Sequence, residues 1–149
     1  MILAAFGPPT AELSRAGKGR GGPPVPVNQT MTFSGYCGFD VQVTLTGKEG
    51  LINLPSGGLI VTGDQPATFT NLSDPTKTVT LNAAGAFHVS FDQNGNQIFM
   101  ATGRNGVFIK GTGMLILVGN FTFVLDPNNH LISGPTGTGT IIDICQLIN

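Results

Sequence analysis

The chain has 149 residues, of which only 10% are charged, and its formal net charge is −1. From residue 28 onward it carries four basic and seven acidic side chains, so it lacks the clustered Lys and Arg by which nucleic-acid binders are recognised. Its apolar runs are all much shorter than the roughly 20 residues of a membrane-spanning helix, and the length suits a single domain with its own core.

The first predicted segment, residues 1–26, is a tail. It is rich in glycine and proline, which interrupt regular structure, and it offers little apolar surface to bury. Its apolar start is too short for a secretory signal and has no basic region before it. The sequence therefore predicts a disordered tail over residues 1–26 and a folded domain over residues 27–149.

Short strands fill the first half of the predicted domain. In residues 39–46, Phe39, Val41, Val43 and Leu45 occupy one face and polar side chains occupy the other, which is the period of a half-buried strand. Similar stretches between turn residues, including a turn at 63–66, predict further strands. These lie at residues 28–33, 51–54, 59–62, 68–72 and 77–83.

The second half begins with the clearest hairpin in the chain. Phe87, Val89 and Phe91 alternate with other residues, and the Asn-Gly pair within 92–96 favours a tight turn before a return strand at 97–100. Glycine-containing turns then delimit strands at 107–110, 114–118 and 120–125, and a turn at 126–130 leads to a strand at 131–132. After a loop at 133–138, residues 139–148 close the domain as a strand that can include a short helix at 143–147.

Together these elements predict an all-β fold. About ten short strands, spaced by roughly eight to twelve residues and joined as sequential hairpins, favour an antiparallel meander. A closed barrel would remove exposed sheet edges, which a chain with few charges can hardly protect. We therefore expect a single antiparallel β-barrel, a calycin- or dirigent-like meander, with a two-sheet β-sandwich as the alternative.

The two cysteines, Cys37 and Cys145, lie near opposite ends of the predicted domain. An even number of cysteines outside any Cys-x-x-Cys motif favours a disulfide between the beginning and the end of the domain. Such a disulfide implies an oxidising compartment. The alternative is a pair of buried free thiols.

Several short segments spread over about residues 33–147 are distinctive. They are Cys37-Gly-Phe-Asp-Val41, Thr46-Gly-Lys-Glu49, Gly85-Ala-Phe-His88, Thr102-Gly-Arg-Asn105, Gly119-Asn-Phe-Thr-Phe123, Gly137-Thr-Gly139 and Ile142-Asp-Ile-Cys145. In these segments the chain resembles a family of small, uncharacterised exported proteins of actinobacteria. The resemblance implies an extracellular or cell-surface location and paired cysteines, and it carries no catalytic residue over. Members of that family usually begin with a signal peptide, which the start of this chain does not show.

No motif in the sequence is a catalytic signature, so candidate chemistry rests on single residues. His88 is a candidate general base, which would need a carboxylate such as Asp40 or Asp143 within hydrogen-bond reach. Arg104 is the one arginine of the predicted domain and would pair with an aspartate or an anionic ligand. Residues 92–96 depart from the calcium-loop pattern. The sequence predicts no metal and no cofactor.

A barrel rich in large apolar side chains predicts a ligand cavity. We expect His88 and Arg104 to be its polar contacts and the remaining lining residues to be Phe87, Phe99, Met100, Phe108 and Phe123. The first functional hypothesis is an exported small β-barrel that binds an apolar or amphipathic small molecule without catalysis. One alternative is a barrel-type cyclase or isomerase that acts on a hydrophobic substrate.

Another alternative is a structural or adhesive cell-surface module. The abundance of Thr, Gly and Asn, which would cover the surface of a chain with so few charges, suggests it. Such a module would form oligomers or bind a cell-surface polymer, and it would have no buried ligand.

Overall fold

The fold is dominated by β-strands. The computed structural model describes residues 2–5 and 23–149. The strands are β1 (Ile2–Ala5), β2 (Val25–Pro26), β3 (Gln29–Phe33), β4 (Val41–Leu45), β5 (Lys48–Asn53), β6 (Leu59–Asn71), β7 (Thr78–Phe91), β8 (Gln97–Ile109), β9 (Gly113–Leu125) and β10 (Leu131–Asp143). A short helix, α1 (Ile144–Leu147), follows β10.

The strands form one open sheet, in which β2 to β10 pair antiparallel. The order is β10-β9-β8-β7-β6-β4-β3. β4 pairs with the second half of β6 and β5 with its first half, while β2 pairs with β5. In the described part of the chain β10 and β3 do not pair with each other. The all-β prediction is therefore confirmed, but a closed barrel is not.

Two short strands lie within the segment for which the sequence predicts a disordered tail. β1 pairs parallel with residues 106–109 of β8, and β2 pairs with the beginning of β5. Both strands satisfy main-chain groups at edges that would otherwise lack a partner. Residues 1 and 6–22 of the predicted tail lie outside the described residues.

Five glycines stand opposite one another across five adjacent strands. In the register of β6 to β10, each glycine is the direct partner of the next. A Cβ at Gly119 would lie 2.3 Å from the carbonyl oxygen of Thr138, so the two backbones approach more closely than any side chain permits. We call this line the glycine row; it consists of Gly63, Gly85, Gly103, Gly119 and Gly139.

The hydrophobic core is divided into two clusters. The first cluster includes the ends of β6 to β9 that meet at the 92–96 and 126–130 turns; its largest members are Phe87, Phe99, Phe121, Phe123, Leu117 and Leu125. The second cluster lies under β3, β4 and the other end of β6 and β7; its largest members are Phe33, Tyr36, Phe69, Phe108, Met114, Ile116, Ile144 and Ile148.

The end of β8 after Gly103 and the beginning of β9 before Gly119 lie between the two clusters. The pairing of β8 with β7 ends at Gly103 opposite Gly85, after which β8 continues with β9 and β1. Val107 and Ile109 then pack into the first cluster, and Phe108 packs into the second. Because successive side chains of a strand point to opposite faces, this part of β8 is buried on both sides.

A disulfide ties the last element to the beginning of the sheet. Cys37, in the loop between β3 and β4, is bonded to Cys145 of α1, which confirms the predicted pairing. The side chain of Asp143 accepts a hydrogen bond from the backbone N–H of Gln146 and caps the helix. Ile144 and Ile148 are fully buried, so α1 closes one end of the second cluster.

Candidate functional site

The most regular surface feature is a set of polar side chains on four adjacent strands. β3, β4, β6 and β7 each contribute two residues, in the pattern Thr-x-Thr or, on β4, Gln-x-Thr. The register aligns them as two rows that cross the strands. We call this surface the threonine face; its rows are Thr30, Thr44, Thr68 and Thr80, and Thr32, Gln42, Thr70 and Thr78.

Strand alternation explains why these side chains share a face. The residues between them, Met31, Val43, Phe69 and Val79, all pack into or against the second cluster. Since the apolar side chains are buried, the threonines and Gln42 must point outward. Threonine also suits strands, because its branched Cβ is readily accommodated on a pleated surface.

Hydroxyl groups of neighbouring strands are paired on this face. The Oγ1 atoms of Thr68 and Thr80 are 2.9 Å apart, and those of Thr70 and Thr78 are 3.0 Å apart. On the other side of the face, Thr30 and Thr44 lie 3.3 Å apart. Cross-strand pairs of this kind stabilise sheets, and each hydroxyl retains capacity for a further hydrogen bond.

The threonine face carries no charge. All eight side chains are neutral, and those on the outer strands β3 and β7 are exposed, while those on β4 and β6 are half-exposed. The nearest turn, residues 72–77, contains Asp74. A hydrogen bond from the Thr76 hydroxyl to its carboxylate lowers the pKa of Asp74.

The phenylalanines predicted to line a ligand cavity are instead packed together in two places. Phe87, Phe99 and Phe123 are at most 1% exposed and contact one another in the first cluster. The rings of Phe99 and Phe123 stack with centroids 4.8 Å apart, and Phe87 meets each edge-on. Phe108 lies in the second cluster, against Phe33 and Phe69. The structure therefore does not bring these four aromatic side chains into one group.

The three remaining predicted site residues lie at the surface. His88 and Met100 are direct partners on the outer face of β7 and β8, and Met100 is 49% exposed. In the described part of the chain, neither Asp40 nor Asp143 is hydrogen-bonded to His88. The Nε of Arg104 donates a hydrogen bond of 2.9 Å to the carbonyl oxygen of Asn82, which is a structural contact across the sheet.

A shallow groove of about 450 Å³ adjoins the threonine face. It is lined by Met31, Thr32, Phe33, Ser34, Tyr36 and Lys110. Burial raises the pKa of the Tyr36 phenol, so this group remains a neutral hydrogen-bonding group at ordinary pH. None of the predicted ligand-binding residues lines this groove.

Two aspartate turns illustrate how acidic residues are used in this fold. At the 92–96 turn, both carboxylate oxygens of Asp92 accept hydrogen bonds, from the backbone N–H groups of Asn94 and Asn96 and from the Asn96 amide. The hydrogen bond from the side-chain amide of Asn96 is the main reason why the pKa of Asp92 is lowered. At the 126–130 turn, hydrogen bonds from the His130 and Asn128 backbone lower the pKa of Asp126. These carboxylates stabilise turns.

Two kinds of feature are absent from the part of the chain that the structure describes. It contains no group of three or more His, Cys, Asp or Glu side chains arranged to hold a metal ion. Among the same residues, no helix has the length and apolar character needed to cross a membrane.

Comparison with protein-family models, with curated proteins and with solved structures finds no match to this chain. The resemblance to exported actinobacterial proteins therefore stays a prediction. So do ligand binding by the aromatic residues, His88 and Arg104, and the choice between a binding protein and an enzyme.

Proposed function

We propose that the protein is a non-catalytic module, exported from the cell, whose threonine face binds a neutral polysaccharide. The observation that supports this proposal is the pair of four-residue rows on β3, β4, β6 and β7, which present seven hydroxyls and one amide without a charged side chain.

The chemistry of the face suits a polyhydroxylated partner. A threonine hydroxyl donates one hydrogen bond and accepts two, and the Gln42 amide does both as well. The hydroxyls of a sugar have the same dual capacity, so they can donate to threonines whose hydrogen is already used within the face, such as Thr78, and accept from the others. A charged polymer would have to give up solvation without finding an opposite charge on this face.

The spacing of the face suits a partner with a repeating structure. Neighbouring strands lie about 4.7–4.9 Å apart, and residues two apart on one strand are separated by roughly 6.6 Å. The two rows therefore repeat the same group in two directions. A polymer can occupy several positions at once, so weak individual contacts add up through their high effective concentration.

The side chains of the threonine face are also ordered in the unbound protein. The hydroxyl pairs fix several side chains, and the Phe69 carbonyl oxygen accepts a further 3.0 Å hydrogen bond from the Thr78 hydroxyl. The Cys37–Cys145 disulfide closes the end of the second cluster that underlies the face. Groups that are already ordered lose less entropy on binding.

An isosteric substitution tests this assignment. Thr44→Val with Thr68→Val removes two hydroxyls from the centre of one row while it keeps the shape and the strand preference of the side chains. We expect at least a severalfold loss of binding to insoluble cellulose, chitin or cell-wall glycan in a sedimentation assay, whichever of these the wild-type protein binds.

The matched control is Thr102→Val with Thr122→Val, which removes two exposed hydroxyls from β8 and β9, away from the threonine face. This variant should bind as the wild type does. Equal binding by both variants would contradict the role of the face, and so would a wild-type protein that binds none of these polymers.

The barrel hypothesis leads to a different expectation. An apolar small molecule could enter only if rings that are at most 1% exposed, such as Phe99 and Phe123, moved apart. A small molecule that stays bound through native purification and leaves on unfolding, as detected by mass spectrometry, would favour that hypothesis over the polysaccharide proposal.

A further inference from the structure

β10 is the last strand of the sheet and has a free edge over most of its length. It pairs with β9 from Leu131 to Asp143, and in the described part of the chain nothing pairs with its other side. Residues 136–141 are all exposed. A free edge presents main-chain N–H and C=O groups that can pair with another strand.

Such edges are usually protected, and this one has little protection. Charged side chains and β-bulges are among the devices that keep edge strands apart. β10 carries no charge before Asp143 at its end, and its register shifts are confined to the part between Leu131 and Thr136. Pro135 blocks pairing only near the beginning of the strand, because it lacks an N–H. The remaining edge is open for pairing over residues 136–142.

The sequence of this edge is its own mirror image. Residues 136–140 read Thr-Gly-Thr-Gly-Thr, which is symmetric about Thr138. If two copies pair antiparallel with Thr138 on the two-fold axis, Thr136 of one lies opposite Thr140 of the other, and Gly137 lies opposite Gly139. In a two-fold interface the same patch of both copies takes part, and the symmetry of this sequence means that each residue of the patch meets a residue of its own type.

We propose that β10 pairs with β10 of a second copy of this chain, antiparallel and centred on Thr138, so that two sheets become one. The Thr138 pair at the axis would reproduce the hydroxyl pairs that already join strands within the molecule, such as Thr68 with Thr80 at 2.9 Å. The pairing covers residues 136–140 and ends where Ile141 would meet Pro135 of the second copy, because Pro135 lacks an N–H and lies where the register of β10 shifts.

A second copy is favoured over an unrelated strand because the symmetry is local and specific. An unrelated strand would gain the same main-chain hydrogen bonds but would have no reason to match threonine with threonine and glycine with glycine. The two molecules also meet without like charges at the contact, which would otherwise oppose association.

Charge placed on the axis tests the proposal with the full chain. Thr138→Lys brings two ammonium groups face to face, and Thr138→Glu brings two carboxylates together. In sedimentation velocity over a range of concentrations, the wild type should show a dimer that dissociates on dilution. Each variant should dimerise more weakly by about tenfold or more, because juxtaposed like charges are costly at an interface.

Mixing the two variants distinguishes pairing at the axis from a general effect of charge. An equimolar mixture should recover the dimer, since lysine then faces glutamate. Thr122→Lys, on the neighbouring strand β9 rather than on the edge, should dimerise as the wild type does. Circular dichroism should show both Thr138 variants folded. If one is not, the double variants Thr136→Lys with Thr140→Lys and Thr136→Glu with Thr140→Glu take their place, since residue 140 faces residue 136 of the other copy.

A wild-type protein that stays monomeric at every concentration would overturn the proposal. A dimer that survives Thr138→Lys unchanged would overturn it as well, because the contact would then lie elsewhere. Failure of this test leaves polysaccharide binding by the threonine face unaffected, since the two surfaces share no residue.

Discussion

Single residues in this protein show how little charge is needed to define a turn. Asp92 and Asp126 are each the first residue of a hairpin turn, and each uses its carboxylate to accept backbone hydrogen bonds. The sequence predicts both turns correctly, because each begins with aspartate and has asparagine late in the turn, and both residue types favour tight turns. A side chain that fixes a turn within five residues leaves a local signal that can be found without knowledge of the fold.

The Asp92 turn should make stability depend on pH in acid. Its hydrogen bonds lower the pKa of the folded state, so the stabilisation is complete above the unfolded-state pKa of about 3.9. It is then lost as the pH falls through the lower folded-state pKa. Asp92→Asn removes this titration. In thermal unfolding, its melting temperature should therefore lie furthest below that of the wild type at neutral pH, and the difference should shrink in acid.

Asp64→Asn is the matched control for this measurement. Asp64 is exposed, and in the described part of the chain its side chain accepts no hydrogen bond. The variant should therefore follow the wild-type pH dependence. If the melting temperature of Asp92→Asn were lower than that of the wild type by the same amount at every pH, the carboxylate charge would have no part in stabilising the turn.

Residue types alone point to a different candidate site from the one that the register of the strands brings together. Aromatic side chains such as Phe99 and Phe123 suggested a ligand cavity because a barrel was expected to be hollow, whereas their rings stack within a packed cluster. The threonine face does have a signal in the sequence, a Thr-x-Thr or Gln-x-Thr pattern on four strands. That signal becomes meaningful only when the register places the four strands side by side, and no single segment contains the register.

At the scale of whole elements, the sequence predicts breaks at glycines where the structure has long continuous strands. The predicted turn at 63–66 is wrong, since β6 runs through it from Leu59 to Asn71. The predicted breaks near Gly85, Gly103 and Gly119 and the predicted loop at 133–138 are wrong for the same reason. Alternation identified the strands themselves. Glycine is a turn signal in most sequences, but here it permits close approach between strands.

The glycine row leads to a prediction about Gly119. An alanine Cβ there would lie 2.3 Å from the carbonyl oxygen of Thr138, at a φ of 132° that side chains rarely adopt. We expect Gly119→Ala to lower the free energy of unfolding by more than about 2 kcal/mol, because this backbone conformation alone costs of the order of 1–3 kcal/mol and the clash adds to it. Urea denaturation measures the change.

Gly111→Ala separates the clash from the backbone conformation. Gly111 lies in the β8–β9 turn at a φ of 81°, but a Cβ there would meet nothing within 4 Å. Gly111→Ala should therefore lower the free energy of unfolding by only about 1–2 kcal/mol, the usual cost of a left-handed conformation for a residue with a side chain. If the two variants were equally stable, the close approach of β9 and β10 would not be what requires glycine.

For the whole molecule, the disulfide connects elements that the sheet alone leaves separate. α1 follows the edge strand β10, while Cys37 precedes β4 near the other edge. The pairing was predictable because only two cysteines exist. The open sheet was not predictable, because the closure of a barrel depends on strand register, which alternation does not reveal.

Loss of this disulfide should weaken the whole fold rather than one end of it. The bond joins residues 108 positions apart, and in the chain-entropy model a loop of about 100 residues contributes about 4–5 kcal/mol by restricting the unfolded chain. Cys37→Ser with Cys145→Ser should lower the urea midpoint accordingly, and wild-type protein in reductant should match the variant. Unchanged midpoints would mean that burial of Ile144 and Ile148 alone holds α1 in place. Typical domains are stable by only about 5–15 kcal/mol. A loss of unfolding free energy of the expected size would therefore make the fold depend on an oxidising compartment. The threonine face, which we propose acts outside the cell, would depend on it too.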